Sequence, residues 1–335
     1  MKKSILFLLI SLGIASANAQ SQTTGELIET ANTFLRQGDY ANAILVLNRA
    51  QQQDPQNTTV AKNLALSYYF QNDNDKASAA IKPALDKEDA DDQVFQIAAN
   101  IYQHLGQPKE AEKVYRKGIK KFADSGPLYN DLGELLAAQQ NNNEAIKQWE
   151  KGIETDPSYS KNYYNAAKYY FTTNNNGWAL LYAEIFINIE PMSNKAPEIK
   201  QLLLDGYKKL FTNADLLVNN KDKNVFVNNY LQSMNHVGSI ASMGINTESL
   251  TMIRTRFILD WYHTQQNKYP FKLFELQQQL LKEGMFDAYN EWLFEPTISL
   301  VAYQNWISAH PTENKTFTDF QRGRIFKIPK GQYYH

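Results

Sequence analysis

Chemistry in this chain has few places to sit. Its five histidines, His104, His236, His263, His310 and His335, are scattered. No HxxH or HExxH pair offers two imidazoles to one metal ion. Asp260 and His263 stand three residues apart in a helix-patterned stretch, with Arg254 and Arg256 one or two turns earlier. Such a group could move protons, but ion networks on helices share the same spacing, and an ion network is the reading adopted. The run Asn72-Asp73-Asn74-Asp75-Lys76 looks like the start of a calcium loop, yet it lacks the glycine and the distal glutamate that close one. The sequence has no cysteine, which excludes disulfides, thiol catalysis and Cys-based zinc. It has no Walker loop and no Gly-rich dinucleotide turn. A formal net charge of −1 argues against a nucleic-acid binder, which needs a basic face. The chain is therefore read as non-enzymatic, without cofactor or metal.

The ordered signal is positional. Ala43, Ala77, Ala111, Ala145 and Ala179 return every 34 residues. Twelve residues before each stands another small residue: Ala31, Ala65, Ala99, Gly133 and Ala167. Three residues after those comes a large one: Phe34, Tyr68, Tyr102, Leu136 and Tyr170. Small side chains at two fixed points suit the closest approach of paired helices, because a larger group would push the axes apart. Between the two helices the turn column holds Gly38, Asn72, Gly106, Gln140 and Asn174, mostly residues that tolerate a left-handed helix end. Pro55, Pro157 and Pro191 close the first, fourth and fifth units.

These columns resemble the tetratricopeptide repeat family, whose period is 34 residues and whose pattern runs W-L-G-Y-A-F-P. The resemblance is carried best by "ANTFLRQGDYANAILVLNRAQQQDP" and "YNDLGELLAAQQNNNEAIKQWEKGIETDP", and covers five units over residues 24–193. It implies an all-α, right-handed alpha-solenoid of helix-turn-helix repeats. It also implies a ligand, usually a peptide or protein segment, in a concave groove lined by the first helix of each pair. Counted from the alanine beat, the groove positions are Asn32 and Arg36, Lys62 and Tyr69, Gln96, Asn100, Gln103 and His104, Asn130 and Glu134, and Tyr164, Lys168 and Phe171. Ile28, Leu35 and Ala137 fall on the same face; Leu66 and Phe70 either line it or pack on the next repeat. Amides can bond a peptide backbone and rings can cover its apolar side chains. The Lys/Asn/Arg carboxylate clamp of cytosolic chaperone-binding relatives is incomplete, since Asn32 is present but Ile28 stands where the lysine is expected.

At the start, Lys2, Lys3, the apolar run Ile5 to Ile14 and Ala17-Asn18-Ala19 read as a signal peptide, residues 1–19, cleaved before Gln20. Its loss takes the net charge from −1 to −3. Export to the periplasm or beyond in a Gram-negative bacterium is the expectation, with no integral span after cleavage.

Beyond Pro191 the beat is lost. Residues 194–311 read as a helical, non-repeat C-terminal domain that caps the repeats, with helices expected at 195–211, 225–234, 247–266 (capped by Thr247), 271–283, 286–294 and 298–309. Within it "LFELQQQLLKEGMFDAYNEWLFEP" echoes a repeat unit. Residues 312–335 read as an irregular, basic and aromatic tail, net +4 from Lys315 onward, whose rings pack back on the C-terminal domain rather than dock on an acidic partner. The function expected is a scaffold of the cell envelope holding a peptide or protein partner. The alternative is a carbohydrate- or cell-wall-related site in the C-terminal half near Trp261, His263 and Trp292.

Overall fold

In the computed structural model, which describes residues 22–212, 216, 222–236, 238–242 and 244–335, every regular element is helical. The expected leader lies outside the described residues. The chain divides into two compact units, Met1–Ala90 and Asp91–His335.

The first unit holds two helix pairs, α1 (Thr24–Arg36) with α2 (Tyr40–Gln53) and α3 (Thr58–Phe70) with α4 (Asn74–Ile81). Helix α1 opens on a capping box, Thr23 with Glu26, and its core face is Leu27 and Ala31 against Ala43, Leu47 and Ala50 of α2. Helix α4 is short for a structural reason. Pro83 has no N–H to continue the α-ladder, and the chain tightens into a 3-10 turn, Lys82–Asp86. The Asn72–Lys76 run is a turn and cap: the Asp73 carboxylate accepts from the Lys76 backbone N–H, and its other oxygen lies 2.7 Å from Lys76 Nζ.

The second unit holds three further pairs: α5 (Asp92–His104) with α6 (Pro108–Lys121), α7 (Gly126–Ala138) with α8 (Asn142–Thr155), and α9 (Ser160–Thr172) with α10 (Asn176–Ile189). The five beat alanines are all fully buried, as are Ala31, Ala65, Ala99 and Ala167. Gly133 replaces alanine in the one repeat where a tryptophan, Trp149, stands four residues after the beat alanine. A Cβ there would stand 2.3 Å from Trp149 Nε1.

All five turns have one geometry. Gly38, Asn72, Gly106, Gln140 and Asn174 have φ between 61° and 73°. The next residue sends its N–H back to the carbonyl of the large residue of the pair: Asp39 to Phe34, Asp73 to Tyr68, Gln107 to Tyr102, Asn141 to Leu136 and Asn175 to Tyr170, at 2.8–2.9 Å. That bond is the closing contact of a Schellman motif. The same residue is also the N-cap of the second helix. Two residues thus end one helix and begin the next, which accounts for the fixed period.

Past the repeats come α11 (Ala196–Leu210), α12 (Val225–Asn235), the one-turn α13 (Gly238–Ala241), α14 (Thr247–Thr264), α15 (Lys272–Lys282), α16 (Phe286–Ile298), α17 (Leu300–Ala309) and α18 (Pro311–Gly323). Three local expectations change. Asn246, not Thr247, caps α14. Helix α16 runs through Pro296, whose missing N–H orphans the carbonyl of Trp292 four residues back; Lys200 Nζ donates to that carbonyl at 2.6 Å. The segment read as an irregular tail begins with a helix, α18, started by Pro311 and anchored by buried Phe317.

The pair α15–α16 is a repeat by geometry. Gly284 has φ 71° and Met285 N–H bonds Leu280 O at 2.8 Å, as in the other turns. Counted from that glycine, the two small-residue positions hold Gln277 and Tyr289. Both donate to Glu184 Oε1 of α10, each at 2.7 Å. The guanidinium of Arg254, fully buried on α14, completes the cluster by bonding Glu184 and Asn290. A polar knot therefore ties repeat five to α14, α15 and α16.

Candidate functional site

Helices α5, α7 and α9 carry an open cleft of 530 Å³ lined by Gln96, Asn100, Gln103, His104, Tyr115, Asp131, Glu134 and Lys161. Its floor is organised from below. Tyr115 reaches in from α6, donates its hydroxyl to Asn100 Oδ1 at 2.6 Å and accepts from Gln103 Nε2 at 2.9 Å. With Asn100 Oδ1 so engaged, its Nδ2 group is the part left to a ligand. Gln96 Nε2 donates to Asp131 Oδ2 at 2.7 Å. Asn130 is buried beneath the cleft, where its Nδ2 bonds Asp131 at 2.9 Å and Glu134 at 3.1 Å. Asn165 Nδ2 donates to Asn130 Oδ1 at 2.9 Å and to Glu134 at 3.0 Å. Burial pushes the Asp131 carboxyl above the ordinary carboxylate range, against the bonds from Asn130 and Gln96.

Five of the groove positions counted from the beat line this cleft: Gln96, Asn100, Gln103, His104 and Glu134. Asn130 supports it without lining it. The positions in repeat five lie elsewhere. Tyr164 donates to Glu198 of α11 at 2.7 Å, Lys168 pairs with the same carboxylate at 2.7 Å, and Phe171 offers its carbonyl to Lys209 at 3.0 Å. These side chains join repeat five to α11. In the first unit, Asn32 accepts from Asn63 Nδ2 at 2.9 Å, Arg36 reaches Thr33 Oγ1 at 3.0 Å, Lys62 is half-buried on α3, and Tyr69 stands edge-on to Phe70. Phe70 is half exposed and stacks on Tyr40, 4.9 Å between centroids.

Asp131, Lys161, Asn165 and Tyr115 escaped the sequence reading. Glu29, Asn63, Asp131 and Asn165 share a column that is polar in four of the five repeats, a signal the count passed over by following the column one residue earlier. Tyr115 stands four residues after the alanine beat, in a column with Leu47, Ile81 and Trp149, and its place on the second helix of its pair gave no sign that it reaches the cleft.

The alternative site in the C-terminal half does not assemble. Trp261 is fully buried among Phe226, Phe257 and Phe274, so its indole offers no face to a sugar. Trp292 is covered by the Lys200 ammonium, 3.7 Å from its ring centroid, and by Tyr289. Arg254 is enclosed in the core, His263 is exposed, and Asp260 faces His236 at 3.7 Å. Among the described residues no helix is long and apolar enough to cross a membrane.

Two family models, each described as a tetratricopeptide repeat, match residues 34–101 and 98–163. The helix pairs within residues 34–163 match the tetratricopeptide repeat. No curated protein matches the chain. Among solved structures it is similar to pilF of Pseudomonas aeruginosa, at 12% identity over 69% of this chain and 96% of that one, TM-score 0.49. It is similar to a thermophilic TPR protein of Thermus thermophilus, at 14% identity over 56% and 99%, TM-score 0.45. It is also similar to YrrB, described as a TPR protein with an unusual peptide-binding site, at 21% identity over 55% and 91%, TM-score 0.39.

Proposed function

We propose that this chain is a non-catalytic scaffold of the bacterial cell envelope, and that the cleft of α5, α7 and α9 holds an extended segment of a partner protein. The observation that carries the reading is the cleft's lining. Amides on α5, carboxylates on α7 and the Lys161 ammonium on α9 face one space, and a buried tyrosine and a buried asparagine fix the first two sets. An extended peptide exposes both N–H and C=O groups, so a surface with both acceptors and donors can bond its backbone whatever its sequence. Repeat folds contribute surface of this kind rather than reacting groups. The residues of repeat five and the helices from α11 onward serve as a cap.

A displayed peptide library selected on the wild-type protein, then measured against Asn100→Ala/Glu134→Ala, tests the site. Selected peptides should lose at least about ten-fold in affinity, the scale of one or two lost hydrogen bonds, while the variant keeps the far-UV circular dichroism of the folded wild type. Equal binding to both proteins would refute it. The envelope assignment rests on the leader pattern. A mature chain beginning at Gln20 in the periplasmic or secreted fraction is expected, and an uncleaved cytosolic chain would overturn it.

A further inference from the structure

The last residues of the chain are read out by their own protein as a bound peptide would be. After α18 the backbone is non-helical, and Phe326 and Ile328 are buried. From Gln332 onward the side chains alternate between two walls. Gln332 Oε1 accepts the Lys272 N–H of α15 at 2.7 Å. Two residues on, Tyr334 stacks on Phe226 of α12 at 4.7 Å, and its hydroxyl donates to Pro270 O at 2.7 Å. The odd-numbered pair faces the repeats. Tyr333 lines a small cavity with Ile153 of α8 and Tyr163 of α9. His335 Nε2 lies 3.7 Å from the carboxylate of Glu150 on α8 and 2.7 Å from Tyr170 OH, with its ring 4.8 Å from Trp178. Backbone is read as well: Asn224 Nδ2 donates to Tyr334 O at 2.6 Å. Alternating side-chain pockets with a backbone contact are how an extended ligand is recognised, since successive side chains of an extended strand point to opposite sides.

The receptor side carries a buried carboxylate beside the segment. Glu150 is buried in repeat four, where Tyr170 and Tyr182 donate to it at 2.8 and 2.9 Å. A buried carboxylate needs its remaining acceptor sites filled. His335 of the terminal segment brings a ring nitrogen to 3.7 Å from Glu150 and bonds Tyr170, one of its two donors, at 2.7 Å.

We propose that the slot between repeats four and five and helices α12 and α15 is a second peptide site, distinct in every residue from the cleft of α5, α7 and α9. Its resident occupant is the chain's own segment 332–335. The segment is held reversibly, so the slot takes from outside an extended segment with the same alternation, Gln-Tyr-Tyr-His. The resident segment acts as a competitor at an effective concentration of order millimolar, set by its short tether.

The test uses the full chain and a fluorescent peptide of residues 326–335. In Tyr333→Ala/Tyr334→Ala the resident segment loses its anchors, and the variant should bind the peptide at least about ten-fold more tightly than the wild type does. A peptide with the same two substitutions should bind neither protein. Equal, weak binding of the native peptide to both folded proteins would overturn the proposal. Should the variant fail to fold, NMR of the tyrosine rings of the wild type decides. A Tyr334 ring signal that moves to the position of an exposed tyrosine on addition of excess unlabelled native peptide supports a releasable segment. A signal unchanged at millimolar peptide overturns it.

Discussion

Arg254→Met should separate repeat five from the C-terminal helices in energy while leaving the shape of the core nearly intact. Methionine follows the arginine stem and keeps contact with the rings of Phe286, Tyr289 and Phe294, which surround the guanidinium carbon at 5.3–5.5 Å. What disappears is the charge and its bonds to Glu184 and Asn290. Glu184 then stays buried with only the neutral donors Gln277 and Tyr289. Removing one member of a buried ion pair costs about 3–5 kcal/mol, because the survivor's desolvation is no longer offset. Replacing both members removes the stranded charge but leaves Gln277, Tyr289 and Asn290 each short of a partner, so Arg254→Met/Glu184→Leu is expected to recover only part of that loss. Urea unfolding followed by far-UV circular dichroism and by tryptophan fluorescence measures both variants; Trp178, Trp261 and Trp292 report on the region. A single variant that costs less than about 1 kcal/mol, or a double variant as damaged as the single, would refute the reasoning.

Other expectations follow from local geometry. Gln140 is the only turn residue of the five that is neither glycine nor asparagine, yet its φ is 63°; Gln140→Gly should stabilise the protein by about 0.5–1 kcal/mol in the same urea titration, and a loss would contradict the strain assigned to it. Gly133→Ala should destabilise by about 1–3 kcal/mol through overpacking on Trp149, and Trp149→Leu in the same chain should recover part of the loss; no recovery would argue against that contact. Burial pushes the Lys200 ammonium down to about 7 from 10.5. Between those values the unfolded chain carries a proton that the folded chain lacks, so stability should rise with pH through this window, and Lys200→Met should flatten the rise. An unchanged slope in calorimetry from about pH 7 to about pH 10 would count against it. Lys200→Met should also leave the Trp292 carbonyl unbonded, at about 1–3 kcal/mol, and Pro296→Ala should return its helical donor and part of that loss.

The repeats were legible because their determinants are local and periodic. Two small residues and a turn residue recur at fixed offsets, and each pair closes within one period. The pair α15–α16 was harder to see for a physical reason. Its two seam positions hold Gln277 and Tyr289, which are large and polar because they serve Glu184 rather than a close helix contact. Glu184 and Arg254 lie 70 residues apart, and no local pattern announces that they meet. Composition marks the terminal segment as an irregular, basic tail whose rings pack back on the C-terminal domain. Phe317, Phe326 and Tyr334 do pack back on the protein, as their number implied, but the alternation from Gln332 onward has meaning only beside Glu150 and Phe226. In the cleft, the beat located the first-helix face but not its rotation. Asn130 proved to point inward, and Asp131, one residue on, lines the space.

The most direct test of the scaffold reading is a photoreactive residue placed in living cells at Gln103 on the cleft, or at exposed Lys113 on α6 as a control. The account predicts that the Gln103 position crosslinks to an extended, unstructured segment of a partner and that the Lys113 position does not. Crosslinks of equal yield from both positions, or from Lys113 alone, would contradict it.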